Sequence, residues 1–215
     1  MKVKRHSLDA ALLLDGRASA WSGIEETLLP LSPSPIALTE SVSPYMAKIT
    51  GHGKVKKIRV RMAHNGSIFS MRLSWDDPDK DNETTDLDEF SDAVSVMFPL
   101  AKGATAFTMG SEEKPVNAWF WKAGEPGPFD VLAEGYATSN RRPAETSGLR
   151  ASDYHEGGTW VVVLQRPMAG DGHGIVHIEP GVDTGIAFAV WEGSNKERSA
   201  QKAVSGEFKR LKVDA

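Results

Sequence analysis

The stretch Lys57-Ile-Arg-Val-Arg-Met-Ala-His-Asn65-Gly66-Ser-Ile-Phe-Ser-Met-Arg-Leu-Ser-Trp75 decides the fold. Two runs of alternating apolar and polar residues flank Asn-Gly, the strongest short signal for a two-residue hairpin turn. Pairing outward from Asn65-Gly66 sets Met62 opposite Phe69, Val60 opposite Met71 and Ile58 opposite Leu73. One face is then apolar, and the other carries Arg59, Arg61 and Arg72 with Ser70 and Ser74 between them. Such a pattern holds its register only if the apolar face is core. The three arginines read as charges that keep a sheet face soluble, with docking of an acidic partner as the alternative.

Outward from the hairpin, residues 93–98, Val116–Lys122, residues 159–165 and Thr184–Trp191 read as further strands. Each is rich in β-branched or aromatic residues and bounded by Gly, Pro or charged turns. In Val116–Lys122 both faces are largely apolar, which predicts a central strand or one lying against something apolar besides core. Helical periodicity is confined to residues 7–14. Strands separated by turns, without βα alternation, predict an all-β fold. We expect an antiparallel β-sandwich, immunoglobulin-like or carbohydrate-module-like, with long loops and few short helices. One domain is expected over residues 1–215, since no linker divides the chain. Residues 32–44, with three prolines, are expected to run extended over the surface, and residues 125–154 read as a long loop.

Composition narrows the function. The 215 residues are 40% hydrophobic and 25% charged, ordinary for a globular domain, and six Trp and eight Phe supply core bulk. A net charge of −4 argues against nucleic acid as partner. No apolar run reaches the roughly 18–20 residues of a membrane span. There is no cysteine, so disulfides, thiolate metal sites and haem attached through Cys-x-x-Cys-His are excluded. The basic start Met1–Arg5 lacks a following apolar segment, and the chain reads as having no signal peptide, cytosolic or already processed.

Two metal-like patterns read better as ordinary structure. Asp77, Asp79, Asp81 and Asp88 partly follow calcium-loop spacing, but Asn82 stands where the sixth-position glycine is required. A solvated acidic loop over residues 76–90 is the expectation. His173 and His177 have the metal spacing of a helix, yet Ile175-Val-His-Ile178 looks like a strand. There the two rings would stand roughly 13 Å apart, too far for one ion. No nucleophile elbow, phosphate loop or dinucleotide fingerprint is present, so hydrolytic chemistry has no support.

Three stretches together resemble a known family. They are Phe90-Ser-Asp-Ala-Val-Ser-Val-Met-Phe-Pro99, Thr108-Met-Gly-Ser with Pro115-Val-Asn-Ala-Trp-Phe-Trp-Lys-Ala123, and Gly185-Ile-Ala-Phe-Ala-Val-Trp-Glu-Gly193 leading to Glu197-Arg-Ser-Ala-Gln-Lys-Ala-Val-Ser205. The pattern is similar to the haem-b γ subunits of ethylbenzene dehydrogenase, dimethyl sulfide dehydrogenase, selenate reductase and chlorate reductase, molybdoenzymes of the dimethyl sulfoxide reductase family. It runs from about Trp75 to the C-terminus.

The resemblance implies a non-catalytic β-sandwich subunit holding one non-covalent haem b between a Met and a Lys, here Met109 and Lys202. It also implies a heterotrimer with a molybdenum catalytic subunit and an iron–sulfur subunit, a soluble c-type cytochrome or similar carrier, and the periplasm. The chemistry is coherent: thioether ligation raises the iron potential, and a lysine ligates only when neutral, below its usual pKa of about 10.4. Iron with two protein ligands has no open position for substrate, which favours electron transfer. The Trp and Phe residues of Val116–Lys122 are candidates to wall the porphyrin. The alternative is a carbohydrate-binding β-sandwich module without haem.

Overall fold

The computed structural model describes every residue except Thr85. Fourteen strands and one short α-helix make up its regular structure, with a few 3-10 turns. The strands are β1 (Lys2–Arg5), β2 (Glu26–Pro30), β3 (Ser32–Pro33), β4 (Lys57–His64), β5 (Ile68–Asp76), β6 (Ala93–Pro99) and β7 (Val116–Lys122). They continue with β8 (Phe129–Ala133), β9 (Asn140–Pro143), β10 (Arg150–His155), β11 (Thr159–Pro167), β12 (Thr184–Trp191), β13 (Ala203–Val204) and β14 (Lys209–Val213). The helix, α1 (Ala10–Leu14), is capped by Asp9, whose carboxylate accepts the Ala11 N–H.

Strands β10-β11-β5-β4-β2 form one layer and β14-β12-β6-β7-β8-β9 the other. These ladders are antiparallel. The link between layers is β1, parallel to β14 at Lys2–Val3 and parallel to β4 at Lys4–Arg5. The core lies where the two faces meet. Trp75 and Trp160 of the first layer pack on Trp121 of β7 with ring centroids 6.3 and 5.0 Å apart, and Phe69 meets Trp119 at 6.0 Å. Edge-to-face contacts of this kind add to the area that five buried tryptophans remove from water.

The hairpin turns one pair later than Asn-Gly predicts. His64 stands opposite Phe69, Met62 opposite Met71 and Val60 opposite Leu73. The central residues are Gly66, at φ 95°, and Ser67, while the Asn65 side chain accepts the N–H groups of Ser67 and Ile68. Glycine at the first central position suits a type II′ turn. The slip is two residues, so every side chain keeps its face and the apolar face is still core. On the outer face the three arginines are tied to their own chain. Arg59 forks onto Asp76, Arg61 meets Glu26, and Arg72 donates to the Gly16 carbonyl and Tyr154 hydroxyl. Leu13, Trp21 and Ile24 cover part of that face over Ala63 and Val163.

Several expectations are corrected. Residues 125–154 hold β8, β9 and the start of β10 rather than a loop. Residues 32–44 coil through β3 and a 3-10 turn at Ile36–Thr39 instead of running extended. Ile175 to Ile178 is irregular, not a strand. The acidic loop is solvated only in part: Asp77 is fully buried, and it accepts the Trp75 indole N–H and the Asp79 N–H. Among the described residues no group of His, Cys, Asp or Glu is arranged to hold a metal ion, and no helix is long and apolar enough to cross a membrane.

Candidate functional site

Alternation along β6, β7 and β12 gives the second layer two working faces. Val94, Val96, Phe98, Trp119, Trp121, Ile186, Phe188 and Val190 fill the core. Their neighbours Ala93, Ser95, Met97, Ala118, Phe120, Ala187, Ala189 and Trp191 face outward and floor a cavity of about 640 Å³. The floor is laid in rows across the ladder. One row runs Arg141, Val131, Ala118, Met97, Ala187, and the next holds Phe129, Phe120, Ser95 and Ala189. Small residues at its centre leave room above the sheet that larger ones would fill. Phe120 therefore walls the cavity, whereas Trp119 and Trp121 face the core and do not.

Loops complete the cavity. Ser34 and the turn after it form one wall, held by the Ser34 N–H on the Lys202 carbonyl at 2.9 Å and by the Ser34 hydroxyl on the Ala200 carbonyl. Residues 42–46, 90–91, 106–109, 136–141 and 197–206, with Lys122, supply the rest.

Met109 and Lys202 meet inside, though 93 residues separate them. The Lys202 ammonium points at the Met109 sulfur, Nζ to Sδ 3.9 Å, and lies 4.8 Å from the centre of the Trp191 ring. The two donor atoms are in direct contact, the lysine nitrogen facing the thioether sulfur across the cavity. Burial pushes the Lys202 amine down to about 8, toward the neutral form that offers a lone pair.

Both donors are held by their backbones. Met109 sits in the left-handed region at φ 59°, and Gly110 follows at 79°. The Met109 N–H donates to Ala106, and its carbonyl accepts from Gly135. Strain at a non-glycine residue of this kind persists where surrounding contacts fix it, and it is common at ligand sites. Glu207 bonds the Thr105 hydroxyl and, at 2.9 Å, the Ala106 N–H, so the methionine loop is tied to the segment after Lys202. On the lysine side, Glu197 is buried and accepts from the Lys54 and Glu192 amides and the Asn195 side chain. A soft thioether opposing an amine beside an apolar floor suits a flat metal-bearing cofactor better than a hydrated ion.

Sequence reasoning placed Met109 and Lys202 together through the resemblance alone. It did not assign Trp191, Ser34 or Glu207 to the site. Trp191 was legible as the outward partner of Ala187 and Ala189 on one strand. The other two act through contacts over 100 residues and leave no local signal.

A sequence model of ethylbenzene dehydrogenase matches residues 18–153 and 144–203. The γ subunit of chlorate reductase from Ideonella dechloratans is 32% identical over 79% of this chain and 70% of its own length. The γ subunit of dimethylsulfide dehydrogenase from Rhodovulum sulfidophilum is 33% identical over 73% of this chain. A Haloferax mediterranei protein named as a respiratory nitrate reductase heme subunit is 30% identical over 87% of this chain. The chain spans 61% and 64% of the last two.

Among solved structures, a family 9 carbohydrate binding module from Caldicellulosiruptor kristjanssonii with glucose has a TM-score of 0.55 at 9% identity, covering 100% of this chain and 95% of the module. That likeness establishes the sandwich fold only. The sequence match, in contrast, runs through the turn that carries Met109 and the segment that carries Lys202, and the chain belongs to the ethylbenzene dehydrogenase family.

Proposed function

We propose that this chain is a non-catalytic electron-transfer subunit that binds haem b without a covalent bond, with Met109 and Lys202 as the two axial ligands. The observation that carries the reading is the thioether and amine 3.9 Å apart in a cavity floored by alanines. The relatives named as γ and heme subunits of oxidoreductases support it.

When bound, haem supplies a one-electron iron couple; everything else is the work of the chain. Burial lowers the Lys202 pKa to about 8, which eases loss of the proton that would free its lone pair, and Trp191 packs against its side. Met109 offers a soft sulfur that favours ferrous iron. The alanine floor and the Ser34–Thr39 wall line the cavity around the ligand pair. Iron held by both Met109 and Lys202 would have no position left for a substrate and would serve electron transfer. We place the chain in a periplasmic complex with a molybdenum catalytic subunit and an iron–sulfur subunit. There it would pass electrons between the iron–sulfur subunit and a carrier such as a c-type cytochrome.

The test is optical. The protein should take up haem and, on reduction, show a sharp Soret band with resolved α and β bands. Lys202→Ala and Met109→Ala should each give a high-spin or haem-depleted protein. A low-spin spectrum unchanged in either variant rejects that ligand. A protein that stays colourless when given haem rejects the reading.

A further inference from the structure

Two consecutive arginines on β9 are used in opposite ways. Arg142 pairs with the buried Asp130 carboxylate and donates to the carbonyls of His173 and Gly174. It is part of the scaffold. Arg141 faces the cavity. Its guanidinium folds inward over Phe120, two strands in from its own, with Cζ 4.9 Å from that ring and 5.5 Å from Phe129. Among the described residues no carboxylate pairs with it, whereas Arg59 and Arg61 on the opposite layer each have one.

The charge of the cavity is lopsided in the same direction. Its lining holds four cationic side chains, Lys122, Arg141, Arg198 and Lys202, and one carboxylate, Glu197. Glu197 is already satisfied by two backbone amides and Asn195. Lys122 has Glu125 at 3.6 Å, and Arg198 donates to the Lys196 carbonyl while stacking on Phe90. Lys202 faces Met109 and the Trp191 ring. The guanidinium left over is Arg141, close to two ring faces on an exposed residue at the end of the sheet, with no hydrogen-bond or ion-pair partner among the described residues.

We propose that Arg141 is the carboxylate anchor of the cavity and binds a propionate of the haem. Phe120 and Phe129 hold the guanidinium by cation–π contact at the cavity edge, and the fork takes the two carboxylate oxygens, the geometry in which arginine recognises carboxylates best. The assignment rests on the haem reading. It also orients the ligand: apolar ring over Ala118 and its neighbours, acidic edge toward β9 and solvent.

The experiment titrates haem and haem dimethyl ester, whose carboxylates are blocked, into the wild type and Arg141→Gln, following the Soret band. Haem should bind Arg141→Gln on the order of tenfold more weakly than wild type, the worth of a charge-assisted hydrogen bond at a partly exposed rim. The ester should bind the two proteins alike, and Arg141→Lys should recover only part of the loss. Equal haem affinity in Arg141→Gln overturns the anchor. So does an equal loss for haem and ester, which would mark lost packing on Phe120. If wild type takes neither ligand, the haem reading falls and the anchor with it. Low-spin uptake of both by every protein, with no effect of Arg141, removes the anchor alone.

Discussion

Gly110 follows Met109 at φ 79°, and a Cβ there would come within 2.6 Å of the Lys114 carbonyl oxygen. Gly110→Ala should therefore shift the turn that presents the sulfur. We expect a stability loss of about 1–2 kcal/mol by denaturant melting and a smaller low-spin fraction in the haem-loaded protein. Unchanged stability and spectrum would show that the turn does not hold Met109. A second residue-scale prediction concerns Asp77. Burial, with Asp92 and Glu192 nearby, pushes its carboxyl up to about 8. The folded state thus keeps a proton that the unfolded chain releases above about pH 4, so stability is greatest in acid and falls as pH rises toward 8. Asp77→Asn keeps one carbonyl oxygen and so accepts from only one of the Trp75 and Asp79 N–H groups. It should flatten that slope, at the cost of one hydrogen bond. A slope that persists in the variant would contradict the buried-carboxyl account. At this scale the sequence alone says little: Met109 is one of seven methionines, and only the family pattern singled it out. Its contact with Lys202 spans 93 residues, and no local rule encodes that.

Along single elements the sequence is far more legible, because strand faces follow from alternation. Val116–Lys122 was read as a strand with two apolar faces, and it is central, with core on one side and the cavity on the other. What alternation does not say is which face meets the other layer, so the tryptophans were assigned to the wrong side. The hairpin slipped for a comparable reason. Asn65 caps the turn with its own side chain, and Ile68 joins the ladder to Pro167 of β11, a contact outside the hairpin. Strands β1, β2, β3, β8, β9, β10, β13 and β14 were not foreseen; of these, β9 as Asn-Arg-Arg-Pro and β10 as Arg-Ala-Ser-Asp-Tyr-His lie at the ends of the sheet order, where apolar patterning is weak. The two faces of β7 predict opposite phenotypes for neighbouring residues. Trp119→Ala should cost about 3–5 kcal/mol of stability and leave the haem spectrum of the folded protein intact. Ala118→Phe should block the floor and abolish haem uptake, with the fold retained by circular dichroism. The reverse pattern would exchange the roles assigned to the two faces.

Across the whole molecule, the two layers give a rigid support on which the second layer carries a cavity on its outer face, closed by loops from distant parts of the chain. The all-β class and the sandwich were legible from patterning because burial of one face is a property of each strand separately. The cavity was not, since it depends on small residues from several strands aligning in rows and on the loops that return over them. X-ray absorption at the iron edge of the haem-loaded protein reports what Met109 and Lys202 bind in that cavity. One sulfur and five nitrogen neighbours are expected around iron, with the sulfur lost in Met109→Ala and a nitrogen lost in Lys202→Ala. Iron with no sulfur neighbour in the wild type, or with the same shell in both variants, would contradict that ligation.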